Sequence, residues 1–164
     1  MDKDRLAEGL TDSARWPEKA EELPTESRWR ETGHDFLYHV ILAAKKALRG
    51  ELWVATSSCN GYLKNLLLRL IEWHPKVGGR PDTWHWGRFL ERWAEREVLQ
   101  ALPDTIAKYT LEDVRRALIA NLHFYEKFGR EIATGFGYNF PEEAYSFAVE
   151  QLKRLLNGAA RTGA

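Results

Sequence analysis

The run HDFLYHVILAAKKALRGELWVATSSCNGYLKNLLLRLIEW, residues 34–73, decides the fold. Phe36, Val40, Ala43, Ala44, Ala47 and Leu48 recur at spacings of three and four, and so do Leu52, Ala55, Cys59, Tyr62, Leu63, Leu66, Leu67, Leu70 and Trp73. That period belongs to an α-helix with one apolar face. Arg49-Gly50-Glu51 breaks the run, and Gly50 is the natural residue for a left-handed helix end. Asp35 and Glu51 fall near the two helix starts, where the macrodipole favours a carboxylate. The reading is an antiparallel pair of helices over 34–49 and 51–73, on which the rest of the chain packs.

Downstream, Pro75 to Pro81 with Gly78 and Gly79 is the clearest loop. Short helical pieces follow around Phe89–Trp93, Val98–Leu102 and Ile106–Tyr109. Thr110 with Asp113 resembles a capping box, and Leu111, Val114, Leu118, Leu122, Tyr125, Ile132 and Phe136 continue as a long helix ended in the Gly135-Phe136-Gly137 region. Pro141, Glu142 and Glu143 open a last helix, buried through Ala144, Phe147, Ala148, Leu152 and Leu155 and stopped at Asn157-Gly158. No segment alternates with period two. The fold class is all-α: an up-and-down bundle of four long helices with short inserted helices. Trp53, Trp73, Leu66, Leu118, Leu122 and Phe147 are its expected core.

Upstream, residues 1–32 are charged, carry Pro17 and Pro24, and space their large apolar residues widely. They read as an extended arm whose Trp16 or Trp29 docks on a surface. The domain reading is therefore an arm over 1–32, a helical domain over 33–158 and a frayed tail over 159–164. Lys plus Arg equal Asp plus Glu at 24 each, so no electrostatic footprint for nucleic acid is present. No apolar run approaches the ~20 residues of a membrane span, and the polar Met1-Asp2-Lys3-Asp4 start does not resemble a signal peptide. The single Cys59 excludes an intramolecular disulfide, suits a reducing cytoplasm, and reads as a small buried hydrophobe.

The chain has no glycine-rich phosphate loop, no His-Glu-x-x-His and no Cys pair, and none of its histidines (34, 39, 74, 85 and 123) are four apart. What remains is a polar set on the central helices. Asp35, Tyr38 and His39 lie within about one turn, so they can share a face. On a cleft, Asp35 could accept a proton from a substrate hydroxyl; on a solvated helix end it is a cap. Glu51 could be a first-turn helix charge or a ligand for a cationic substrate, and Glu72 could face such a cleft or pair with Arg69 or Lys76 at the surface. Trp84-His85-Trp86-Gly87-Arg88 reads as core packing with an arginine stacked on an indole.

In order, His34-Asp35-Phe36-Leu37-Tyr38, Ala43-Ala44-Lys45-Lys46, Arg49-Gly50-Glu51-Leu52, Leu70-Ile71-Glu72-Trp73, Trp84-His85-Trp86-Gly87-Arg88-Phe89-Leu90 and Phe136-Gly137-Tyr138-Asn139-Phe140-Pro141 resemble motifs of one family. It is the aminoglycoside 6-adenylyltransferase group of nucleotidyltransferases, and the resemblance covers its C-terminal helical domain. Asp2-Lys3-Asp4 resembles the close of the last strand of that family's catalytic domain, which implies that the chain begins where the catalytic domain ends. The family's Gly-Ser does not occur in the sequence, and nothing precedes Asp2 and Asp4 to house them as its Asp-x-Asp pair. The resemblance therefore implies a substrate-binding half, inactive alone, with ATP and magnesium belonging to the missing catalytic domain and no cofactor or metal held in this chain. It implies Asp35 as the candidate base, with Asp for the family's Glu, and Tyr38, His39, Glu51 and Glu72 as candidate contacts to an aminoglycoside-like molecule. The alternative is a non-enzymatic helical module that pairs with a separate minimal nucleotidyltransferase.

Overall fold

The computed structural model describes residues 23–80 and 85–159. Readings that rest on Trp16, Pro17, the Asp2-Lys3-Asp4 stretch, Trp84 or the tail beyond Ala159 lie outside them. Every regular element among the described residues is helical, as the periodicity predicts, but the stretch around residues 106–109, read from sequence as a short helix, is irregular. The elements are α1 (Glu26–Leu48), α2 (Leu52–Ser57), a π-helical turn (Ser58–Tyr62), α3 (Leu63–Val77), a 3-10 turn (His85–Gly87), α4 (Leu90–Trp93), α5 (Arg96–Ala101), a 3-10 turn (Leu102–Thr105), α6 (Leu111–Phe136) and α7 (Glu142–Ala159).

Helix α1 starts before the expected His34. The Thr25 hydroxyl caps it by accepting from the Arg28 amide at 3.2 Å. The extra turns carry Trp29, which is wholly buried. Its indole N–H donates to the Asn139 carbonyl at 3.1 Å, and the Tyr138 hydroxyl donates to the Pro24 carbonyl at 2.5 Å, tying the start of α1 to the α6–α7 corner. At that corner Gly137 adopts φ +72° and closes α6, the Gly137 N–H donating to the Thr134 carbonyl and the Tyr138 N–H to the Ala133 carbonyl. Thr110 caps the other end of α6 by accepting from the Asp113 amide. Helix α3 runs through Pro75, so the loop begins at Gly78. Helix α7 continues through Asn157 and Gly158, where a stop was expected.

Side-chain pairs set the helix directions. Trp29 meets Trp73 and Asp35 meets Tyr62, so α1 and α3 are antiparallel. Lys64 meets Asn121 and His74 meets Glu131, so α3 and α6 run the same way. Tyr145 meets Glu126 and Glu142 meets Arg130, which makes α7 antiparallel to α6. The four long helices thus run up, down, down, up. The inserted turns carry the chain back along the bundle between α3 and α6, where a strict up-and-down order would reverse it.

The core is aromatic at its centre. Tyr125 stacks on Trp29 and on Phe36, with ring centroids 6.2 and 5.1 Å apart, and Phe140 and Tyr145 close around it. Leu66, Trp73, Leu118 and Leu122 are buried as expected. Two expected core residues are not: Trp53 is 72% exposed and Phe147 57% exposed. Trp53 sits on the outer side of short α2 with Tyr109 edge-on to it, and Phe147 lies on the outer rim of α7, where Tyr145, Ala148 and Leu152 face inward. Cys59 is fully buried in the π-turn, and burial pushes its thiol pKa up, as befits a packing residue.

Candidate functional site

Asp35 lies in the second half-turn beyond Gly33 on α1 and reaches across to the π-turn. Such a turn inserts one residue into the helical ladder and re-aims the side chains after it. Here Asn60 anchors it to the inserted segment, donating to the Ala107 carbonyl at 2.7 Å and accepting from the Ala107 amide at 2.8 Å. Its last residue, Tyr62, then points its hydroxyl back at α1 and donates to Asp35 Oδ2 at 2.7 Å. That hydrogen bond, with some burial, raises the phenol above its ordinary pKa, so Tyr62 stays a donor at neutral pH.

His39 stands one turn after Asp35. Its Nδ1 is 2.9 Å from Asp35 Oδ1 and 2.9 Å from the Asp35 carbonyl oxygen, so a proton on Nδ1 serves both. The imidazole packs on the Tyr62 ring at 4.1 Å. Tyr62 and His39 therefore fix both oxygens of a carboxylate that remains 37% exposed.

Asp35 opens on a cleft of about 410 Å³ between α1, α3 and the inserted turns. Asn65, Arg69 and Glu72 project into it from one face of α3, at the spacing of successive helical turns, and Trp86 forms its lip. Trp86 is 88% exposed with φ +63°, a conformation uncommon for a non-glycine residue. It is not the core residue the sequence suggests. Arg88 and Arg92 lie 5.0 and 4.5 Å from the Phe89 centroid; an arginine on the Trp84 indole lies outside the described residues.

Of the five residues singled out from sequence, Asp35 and Glu72 line this cleft, and His39 supports Asp35 from behind. Tyr38 points away, 61% exposed and edge-on to His39. Glu51 lies at the α1–α2 joint, where it accepts from Lys46 at 2.7 Å and Arg49 at 2.8 Å. The Lys46 hydrogen bond, ahead of Arg49, holds its carboxyl below the usual range. Glu51 thus clamps the Gly50 turn and is not brought to the cleft. Sequence reasoning missed Tyr62, Asn65 and Trp86 as cleft residues. For Asn65 the signal was its place one helical turn before Arg69 and two before Glu72. Among the described residues no group of three His, Cys, Asp or Glu side chains stands close enough to hold a metal. Nor is any described helix long and apolar enough to cross a membrane.

The described chain is thus an all-α bundle whose central helix pair presents an oriented carboxylate to a cleft. The family model for streptomycin adenylyltransferase matches residues 1–155, and the chain belongs to that family. Among solved structures, an aminoglycoside 6-adenyltransferase from Bacillus subtilis shares the fold, with a TM-score of 0.72 at 16% identity. The match covers 82% of this chain and 52% of that protein, so the chain spans about half of its length. No curated protein matches the sequence.

Proposed function

We propose that this chain is the helical substrate-binding part of an aminoglycoside adenylyltransferase-type nucleotidyltransferase, and that the Asp35 cleft takes a cationic, hydroxyl-bearing substrate such as an aminoglycoside. The observation that carries the reading is the oriented Asp35 carboxylate, held by Tyr62 and His39 on a cleft that it shares with Glu72. Two carboxylates on facing helices suit ammonium or guanidinium groups through charge-assisted hydrogen bonds. A carboxylate with both oxygens fixed can hold a substrate hydroxyl and take its proton as that oxygen becomes a nucleophile. His39 and Tyr62 act through Asp35 as positioning residues. Transfer of the adenylyl group belongs to a catalytic part with ATP and magnesium, which the described residues do not supply.

The test is calorimetry or NMR titration of the chain with streptomycin and kanamycin at low salt. Half a cleft should bind weakly, with a Kd on the order of 0.1–1 mM that rises with added salt. Asp35→Asn should weaken binding by about tenfold, the loss of one charge-assisted pair. No response from either protein at millimolar ligand sinks the reading.

A further inference from the structure

The turn at the lip of the Asp35 cleft is anchored on both sides of Gly87. At φ +68°, Gly87 lies so close to α3 that a Cβ on it would meet Leu68 Cδ1 at 3.2 Å. Beyond it Leu90 is buried, and the Trp93 indole N–H donates to the Arg88 carbonyl at 2.9 Å. Trp86 takes no part in this anchoring. Its side chain is largely exposed, and among the described residues no ring, cation or hydrogen-bond partner meets its indole. Yet its backbone holds φ +63° and ψ +31°, the left-handed region in which glycine is at ease and a bulky side chain is strained. The anchored turn imposes that conformation without calling for a tryptophan. An exposed indole gains no burial to offset the strain, so a role in folding does not account for it.

We infer that Trp86 is a stacking platform for a saturated, cation-bearing ring of the ligand in the Asp35 cleft. The inference rests on the proposed function for the occupant of that cleft and names the part of it that the lip recognises. Trp86 lines the same hollow as Asp35, Asn65 and Arg69. Those three side chains supply charge and hydrogen bonds. An indole supplies a flat, apolar, electron-rich face that attracts cations and packs against the C–H groups of a saturated ring. A ring that carries ammonium or guanidinium groups uses both kinds of surface, whereas a linear polyamine brings the charges without the ring. The seating of Gly87 on Leu68 holds the lip in place before the ligand arrives, so little freedom is lost on stacking.

The full chain is titrated by NMR at low salt with kanamycin and with spermine, a polyamine of similar charge that has no ring. Trp86→Gly should weaken kanamycin by about tenfold, the loss of one stacked cation–π contact, and change spermine by less than about threefold. Trp86→Tyr, which keeps an aromatic face, should stay within about threefold of the parent for both ligands. Because glycine is at ease at this backbone conformation, Trp86→Gly should hold Tm or raise it by up to about 4 °C, which separates weaker binding from a less stable fold. The inference is overturned if Trp86→Gly binds kanamycin as the parent does, if it weakens spermine as much as kanamycin, or if Trp86→Tyr loses as much as Trp86→Gly. A fall in Tm of more than about 2 °C in Trp86→Gly also overturns it, since the indole would then be a packing residue. In each of these outcomes kanamycin still binds the parent and the Asp35 cleft stands; a parent that binds no kanamycin at millimolar concentration removes the proposed function and this inference together.

Discussion

Gly33 sits where α1 passes closest to the aromatic centre, and changing it to alanine should be destabilising, although alanine is the better helix former. A Cβ there would lie 2.2 Å from the Tyr125 hydroxyl and 3.3 Å from its Cζ. The first is about an ångström inside van der Waals contact. Tyr125 cannot turn away, because its fully buried ring is stacked between Trp29 and Phe36. Overpacking of this kind costs about 1–3 kcal/mol, and the helix propensity of alanine returns up to about 1 kcal/mol. Gly33→Ala should therefore lose about 1–2 kcal/mol net. The Tyr125 hydroxyl has no hydrogen-bond partner among the described residues, and Tyr125→Phe removes both it and the clash. That change alone should be neutral or stabilising by up to about 1 kcal/mol, since a buried unsatisfied hydroxyl is itself unfavourable. In the Phe background the Cζ contact remains but the overlap is gone, so Gly33→Ala should change sign and stabilise by about 0.5–1 kcal/mol. The coupling in the double-mutant cycle is then roughly 2 kcal/mol, read from urea unfolding followed by circular dichroism. If Gly33→Ala has the same effect in both backgrounds, within about 0.5 kcal/mol, the packing argument is refuted. Because Gly33 precedes Asp35 by two residues, the same close approach seats the candidate base.

Core and rim should separate in the same assay. Leu66→Ala should lose about 2–5 kcal/mol, whereas Phe147→Ala should stay within about 1 kcal/mol of the parent; equal losses would contradict the burial assigned to them. Burial lowers the Lys64 ammonium to about 8 from 10.5 while it donates to Asn121 at 2.7 Å. The unfolded chain then binds more protons in that window, so stability should rise from about pH 8 toward 10. Above about 10 the trend should reverse, because burial raises the Tyr125 phenol and ionisation favours the unfolded chain. Lys64→Met should abolish the rise, and a flat Tm between pH 8 and 10 in the parent would contradict a desolvated lysine.

Much of the fold was legible because long helices repeat their evidence every turn. Val114, Leu118, Leu122, Tyr125 and Ile132 each mark one face of α6, and Thr110 and Gly137 mark its ends. The start of α1 was not legible for a specific reason. The residues that continue its buried face backwards from Phe36 are Gly33, Thr32 and Trp29, and of these only Trp29 is a large apolar side chain, Gly33 being set by its close approach to Tyr125. A stripe counted in apolar residues stops at Phe36, and the charged, Pro24-bearing stretch before it looks like an arm. Trp53 and Phe147 fail the opposite way, because hydrophobicity says that a residue can be buried, not that a partner faces it.

The site divides along the same line. Asp35 and His39 are neighbours on one helix, so helical periodicity alone places them together. Tyr62 is 27 residues from Asp35, and its reach depends on the π-turn and on Asn60 gripping Ala107 in the inserted segment. Neither leaves a periodic mark: an added residue in a helix preserves the apolar count while rotating everything after it. Glu72 and Glu51 were indistinguishable as lone acids in a helical pattern. Their difference is one of place, since Glu51 sits at the Gly50 joint with Lys46 and Arg49 within hydrogen-bonding reach while Glu72 lines the Asp35 cleft from α3. Whether a carboxylate faces a cleft or a local clamp is therefore a property of what packs beside it, and in this chain that is decided by the joint at Gly50 and by the direction of α3.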